Sequence, residues 1–309
     1  MSSPRTIFCA TLAAALLVPL TAAAQEGGER RDTQSEAEER SIVVTGDRER
    51  PSQREISRQA RDISDITSDI YDRPLARIED RLCPGVIGLR RDAAELMVDR
   101  IRWNAERLDM WLGDEAGCSP NLIIAFVEDG KTQIAELQDK QPWLFQSMSI
   151  PERKALLEED GPVRVWTTAQ MRTRDGMPIP RRETLDTPPT VQMWMAHSKI
   201  YLTVREDITQ VVILFDSDAV RGKSVIQLAD YATMRSFART KPAAADARLD
   251  TILTLFEAAQ EPPPGLTDFD QAYLRSVYDS IPNLPAATKL LGVNRQLSRM
   301  EKELEKAAD

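Results

Sequence analysis

The chain beyond residue 62 predicts an α+β fold: a small mixed sheet with a mostly helical C-terminal half, tied by one disulfide. Three observations carry this expectation. The strand candidates are few, and most of them cluster between residues 163 and 215. The only earlier one, at 121–127, stands between stretches of helical periodicity. After residue 224 four helical segments succeed one another with no strand between them.

The elements follow in order. Ile63, Ile66 and Ile70 stand at helical spacing, and Pro74 closes that stretch. Residues 91–112 read as a long helix. Asp92 with Glu95 fits an N-terminal cap, Leu96, Met97, Ile101, Ala105, Leu108 and Leu112 form the apolar face, and Gly113 stops it. The continuous apolar run at 121–127 fits a buried strand. Asp129-Gly130 turns into a short helix at 131–138, and Ser149, Pro151 and Glu152 open another. Residues 163–171 alternate as a strand. The loop at 172–189 holds Gly176, Pro178, Pro180, Pro188 and Pro189. Strands are expected at 191–196, 199–204 and 210–215, then a loop at 218–223. Ser224 with Gln227 caps a helix to about residue 238, and another helix is expected at 243–259. Pro262-Pro263-Pro264-Gly265 is a break. Thr267 caps a helix to Tyr278, and Pro282 and Pro285 interrupt the pattern. The last helix runs from Ala286 to about residue 306. Its Leu290, Val293, Leu297, Met300 and Leu304 form a stripe expected to pack on its own domain.

At the N-terminus Arg5 precedes an apolar run at 7–20, then Ala22 and Ala24. This is the order of a secretory signal peptide, cleaved after Ala24. The run is shorter than the roughly 18–20 residues that span a bilayer. The expectation is therefore a periplasmic protein with no membrane span after cleavage. Residues 25–62 are dense in charged and polar side chains and are expected to form a disordered leader. Ile42, Val43, Val44 and Thr45 interrupt it as a strand-forming run that ends at Gly46. A single domain is expected over 63–309. Cys83 and Cys118 are expected to pair in an oxidising compartment. Their bridge closes a loop of about 35 residues, worth about 3–4 kcal/mol.

Composition removes several function classes. The net charge of −9 opposes nucleic acid. The single histidine, His197, removes zinc hydrolases that need two or three imidazoles, and leaves one candidate base for a Ser-His or Cys-His catalyst. His197 ends a strand candidate and Ser198 beside it points the opposite way, so the histidine reads as structural. Trp103, Trp111, Trp143, Trp166 and Trp194 are scattered and read as core and rim rather than as a carbohydrate platform. Arg172, Arg174, Arg181 and Arg182 form a local basic patch open to an anionic ligand. No cofactor and no metal are expected.

Asp216-Ser217-Asp218-Ala219-Val220 follows an apolar strand and resembles the D-x-D-x-[TV] loop of the haloacid dehalogenase superfamily. The resemblance implies a nucleophilic Asp216, a proton-transferring Asp218 and Mg²⁺ between them. The segments after Val220 are helical where that superfamily needs further strands, so both aspartates read as strand-end acceptors of backbone N–H groups.

The run at 42–46 resembles the Ton box of TonB-dependent outer-membrane receptors, which implies strand addition to an envelope partner. The plug and barrel of such a receptor are missing. From about Ile63 onward the chain resembles a family of exported alphaproteobacterial proteins, from which no activity carries over. The resemblance rests on Pro74-Leu75-Ala76-Arg77, on Leu82-Cys83-Pro84-Gly85-Val86-Ile87-Gly88-Leu89 and on Cys118-Ser119-Pro120-Asn121. The C-terminal half is distantly similar to secreted zincin-like domains in its strand, the helix after Ser224, and Leu266-Thr267-Asp268-Phe269-Asp270 with Leu274 and Tyr278. That helix reads Ile226-Gln227-Leu228-Ala229-Asp230-Tyr231-Ala232-Thr233, so the likeness implies a scaffold without the H-E-x-x-H metal motif.

Two functional expectations result. The first is a non-catalytic periplasmic binding or accessory protein that docks to an envelope partner through Ile42, Val43, Val44 and Thr45. The alternative is a carboxylate-based hydrolase with a histidine-free site drawn from Asp216, Asp218, Asp268 and Asp270. Two carboxyl groups converging at roughly 5–9 Å in a cleft would mark the second.

Overall fold

The structure is a computed structural model and describes residues 51–66, 69–114, 117–146, 148–179, 198–258 and 261–308. Ile42, Val43, Val44, Thr45 and His197 lie outside these residues, as do Arg181, Arg182, Trp194 and the strand candidate at 191–196.

The first helix, α1 (Gln53–Ile63), starts at a capping box: Ser52 Oγ accepts from the Glu55 N–H, and the Glu55 carboxylate accepts from the Ser52 N–H. Ile56, Ala60 and Ile63 recur at spacings of four and three and are buried. This corrects the expected disorder at the end of the leader. The segment is polar on average, yet its narrow apolar stripe suffices once the domain supplies a wall for it. Gln59 fixes the docking by donating to the Leu249 carbonyl and accepting from the Leu249 N–H, at 2.7 and 2.8 Å. Ile66 and Ile70 lie beyond the helix end, so the expected helical stretch at 63–70 does not form.

Four strands make one mixed sheet: β1 (Pro84–Ile87), β2 (Leu122–Val127), β3 (Val163–Thr173) and β4 (Val204–Asp216), in the order β1-β2-β4-β3. The first three in that order are parallel, and β3 is the antiparallel edge. Parallel neighbours need long crossovers. The helix α2 (Arg91–Glu106) connects β1 to β2. Between β2 and β4 the chain makes α3 (Gly130–Lys140), a 3-10 turn (Pro142–Phe145), α4 (Ile150–Glu158) and β3. Both faces of β2 are covered, which is why its residues read as an unbroken apolar run. Leu122, Ile124 and Phe126 enter the main core, while Ile123, Ala125 and Val127 pack on a smaller core of Ile134, Phe145, Leu156, Trp166, Val212 and Leu214.

Three boundaries differ from expectation. The helix α2 ends at Glu106 rather than near residue 112, followed by a left-handed Asp109 (φ 53°). Its N-cap is Arg90, with no side-chain cap. Asp92 and Glu95 pair instead with Arg90 and Arg91. One strand, β4, replaces the two expected at 199–204 and 210–215. Where β2 stops, Arg77 continues the ladder, donating its N–H to Glu206 O and accepting from Ile208 N–H at 3.2 and 2.8 Å. The helix expected at 243–259 is only a 3-10 turn at Ile252–Thr254. Thr251 Oγ1 and Asp270 take the N–H groups of Leu253 and Ile252, so this turn needs no helical continuation.

The C-terminal half holds α5 (Val225–Phe237), α6 (Asp268–Tyr278) and α7 (Ala286–Ala308). Capping boxes open α5 (Ser224 with Gln227) and α6 (Thr267 with Asp270) at the expected positions. All ten residues from Leu228 to Phe237 are buried, which makes α5 the central helix of the main core. On α7, Leu290, Val293 and Met300 are buried, Leu297 is partly buried, and Leu304 is exposed at the far end. Arg77 links the sheet to this half: Nη1 donates to the carbonyls of Val277, Tyr278 and Ser280 at the C-terminus of α6, at 2.7–3.1 Å. Cys83 and Cys118 form the expected disulfide, with Cα atoms 6.0 Å apart. Gly113 packs against it, and a Cβ there would collide with Cys83 Sγ. Among the described residues, no helix is long and apolar enough to cross a membrane.

Candidate functional site

A cleft of about 810 Å³ opens between α4, the edge strand β3 and the C-terminal end of α5. Each wall follows from local sequence. The capping box of Ser149 and Glu152, with Pro151 in the first turn, fixes the start of α4. Glu152, Ala155 and Glu159 then recur at helical spacing along the cleft. The β3 wall contributes Val165, Trp166 and Thr167. Trp166 is held by a stacked contact with Phe145, ring centres 5.4 Å apart. The α5 end and the chain after it contribute Arg235, Arg239, Thr240 and Lys241.

Arg239 is the organising charge at one end. Asp65, Glu152 and Glu206 stand at 3.3, 3.4 and 3.4 Å from its guanidinium. Burial works to lower its pKa, but the three carboxylates outweigh it and hold it above the ordinary value. Burial likewise pushes Glu152 up, while the Ser149 hydrogen bonds and Arg239 bring it below the usual carboxylate range. Glu159 goes the other way. Burial raises its carboxyl, and the charges of Arg235 and Arg164 only partly oppose this. Its backbone is fixed by Arg164, whose Nη2 donates to Glu159 O at 2.9 Å.

Arg235 is 6 % exposed and lines the cleft. Its Nη1 donates to Tyr231 Oη at 2.9 Å, and its Nε has no hydrogen-bond partner. Three arginines are buried among the described residues: Arg77, Arg164 and Arg235. Arg77 pairs with Glu79, and Arg164 stands 3.5 Å from Asp216. Among the described residues, no carboxylate comes within 4.0 Å of Arg235. A buried guanidinium is ordinarily paired, so this group is the exception among the described residues.

The sequence-predicted carboxylates lie elsewhere, each with its own partners. Asp216, at the end of β4, accepts the Gly130 N–H at 2.7 Å and faces Arg164, which ties the start of α3 to β3. Asp218 is an exposed partner of Arg221 at 2.6 Å. Asp268 is exposed in the first turn of α6. Asp270 is fully buried and accepts from Thr251 Oγ1, Ile252 N–H and Thr267 N–H. Asp216 and Asp270 share no hydrogen-bond partner, and nothing in these positions favours the hydrolase alternative. Of the basic loop, Arg172 is neutralised by Asp80 and Asp207 at 3.2 and 3.3 Å. On the zincin-like helix, Asp230 makes a two-point pair with Arg100, each contact 2.8 Å, and accepts from Asn104 and Leu266 N–H. Among the described residues, no three His, Cys, Asp or Glu side chains converge in a way that could hold a metal.

No family model matches the chain, and no curated protein or solved structure matches it.

The sequence reading missed Arg235, Arg239, Glu159 and Glu206, which come from three elements that only the fold brings together. One signal was present for Arg235. In Val225–Phe237 the only charged residues are Asp230 and Arg235, and an isolated cation in an otherwise apolar helix must find a partner or a purpose once buried.

Proposed function

We propose that this chain is an exported, non-catalytic binding protein and that the cleft between α4, β3 and α5 is its ligand seat. The observation that carries the reading is the cleft itself. It is a concave site of about 810 Å³ in which an apolar patch at Leu156, Val165 and Trp166 is ringed by nine charged side chains. The disulfide between Cys83 and Cys118 is compatible with a periplasmic location, where such bonds persist.

A thermal-shift screen of small-molecule fractions from the cell envelope tests this reading. A true ligand raises the melting temperature of the native protein through mass action. It loses that effect in Ala155→Trp, which fills the cleft from the α4 wall. Equal shifts in both proteins would place the ligand elsewhere.

In the same proposal the leader run Ile42, Val43, Val44 and Thr45 docks to an envelope protein by strand addition. Pull-downs from solubilised envelope, with and without those four residues, should differ by one partner. Identical partner sets would retire the docking strand.

A further inference from the structure

We propose that the cleft selects ligands carrying a single carboxylate, and that the Arg235 guanidinium is the receptor for it. This rests on the reading of the cleft as a ligand seat. Arg235 lies in the last turn of α5, almost wholly buried, with Nη1 on Tyr231 Oη and Nε unsatisfied. Nε is itself buried, whereas Nη2 makes no hydrogen bond to any described residue and is the N–H of the planar fork left for a carboxylate oxygen from the cleft. Charge-assisted bonds of this kind are the strong ones. The internal candidates for that role do not take it. Glu159 is close enough for its charge to act on Arg235, yet its oxygens stand outside salt-bridge range. Glu152 and Glu206 are committed to Arg239.

The rest of the cleft sets the charge of the ligand. Asp65, Glu152, Glu158, Glu159 and Glu206 face Arg73, Arg235, Arg239 and Lys241, five carboxylates against four cations. That leaves the lining with a net charge of −1, which opposes a dianion more than a monoanion, so a single carboxylate is the anion the cleft resists least. Arg235 is the buried cation of the lining, with no carboxylate of the described residues within 4.0 Å. The apolar wall at Leu156, Val165 and Trp166 fits an uncharged body behind it.

Calorimetric titration of the disulfide-bonded protein tests the assignment with two carriers, each as acid and amide: N-acetyl-trialanine and its amide, octanoate and octanamide. Inorganic phosphate is the fifth probe. At least one free acid should bind tenfold or more tighter than its amide, and the carrier that does so separates a peptide terminus from an aliphatic acid as the source. Arg235→Lys keeps the charge but loses the fork, and should weaken the acid at least tenfold while leaving the amide unchanged. Glu159→Gln removes a like charge beside the ligand and should tighten the acid several-fold. That variant and the acid-to-amide ratio stand even where Arg235→Lys fails to fold. No binding by either acid, equal binding of acid and amide, or tighter binding of phosphate overturns the carboxylate receptor. Where acid and amide bind equally and both are lost in Ala155→Trp, the receptor falls and the ligand seat stands. Where binding survives Ala155→Trp, the seat falls as well.

Discussion

Lys289 on α7 is 2 % exposed, and its Nζ has one acceptor, Val277 O at 3.3 Å. Burial, reinforced by Arg77, brings its pKa down from 10.5 to about 7. Below pH 7 the lysine is charged in both folded and unfolded states, and the cost of burying it is present in full. Between about 7 and 10.5 the unfolded chain binds a proton that the folded protein does not, so stability rises with pH. Lys289→Met should abolish that rise and stabilise the protein at pH 7 by roughly 1–3 kcal/mol. Urea midpoints of both proteins at pH 6.5 and 9.5 check it, and parallel curves would refute it. Asp270 has the opposite sign. Burial pushes it up to about 6 against its hydrogen bonds, so its contribution is whole below pH 4 and declines as pH rises to 6. Asp270→Ala orphans the donors of Thr251, Ile252 and Thr267 and should cost about 2–4 kcal/mol, more at pH 4 than at pH 7. Neither residue's burial was legible in the sequence. Lys289 falls one place before the apolar Leu290, and only the packing of α7 turns it inward.

The elements differ in how far local sequence decided them. The helices α4, α5 and α6 begin where Ser149, Ser224 and Thr267 said they would, because a capping box is a contact between residues three apart and needs nothing from the rest of the chain. Ser149→Ala should therefore cost about 1 kcal/mol and loosen the cleft wall without moving the sheet. The start of α3 is set by a longer-range contact. A Cβ on Gly130 would stand 2.7 Å from Asp216 Oδ1 and 2.8 Å from Arg164 Nη1. Gly130→Ala should cost about 1–3 kcal/mol and speed hydrogen exchange at Lys131 and Thr132. Unchanged exchange would mean that the Asp216 latch contributes nothing. The strand β1 and the helix α1 escaped the sequence reading because four residues ending in an exposed Ile87, and a polar helix with a narrow stripe, carry too little period to register. The failed helix at 243–259 shows the converse. Its composition favours helix, and buried hydrogen bonds to Asp270 override the preference.

For the whole molecule, the sheet separates two cores. The main one gathers helices from both ends of the chain, α1 with α5, α6 and α7. The disulfide closes a 35-residue loop around α2. Reduction should lower unfolding free energy by about 3–4 kcal/mol, read as the difference between urea curves with and without dithiothreitol. Coincident curves would mean that packing alone restrains that loop.

Local pattern and composition were enough for the α+β class, the pairing of Cys83 with Cys118, the buried strand at 121–127 and the caps of three helices. Each of these depends on neighbours in the chain or on composition. Asp216 was legible as a strand-end acceptor, but its partner Gly130, the edge position of β3, the burial of Asp270 as an acceptor and the meeting of Glu159, Arg235 and Arg239 at one cleft come from the packed fold. The cause is separation along the chain: α4, β3 and α5 are brought together by β4 pairing between β2 and β3, and no local pattern encodes a contact made at that range.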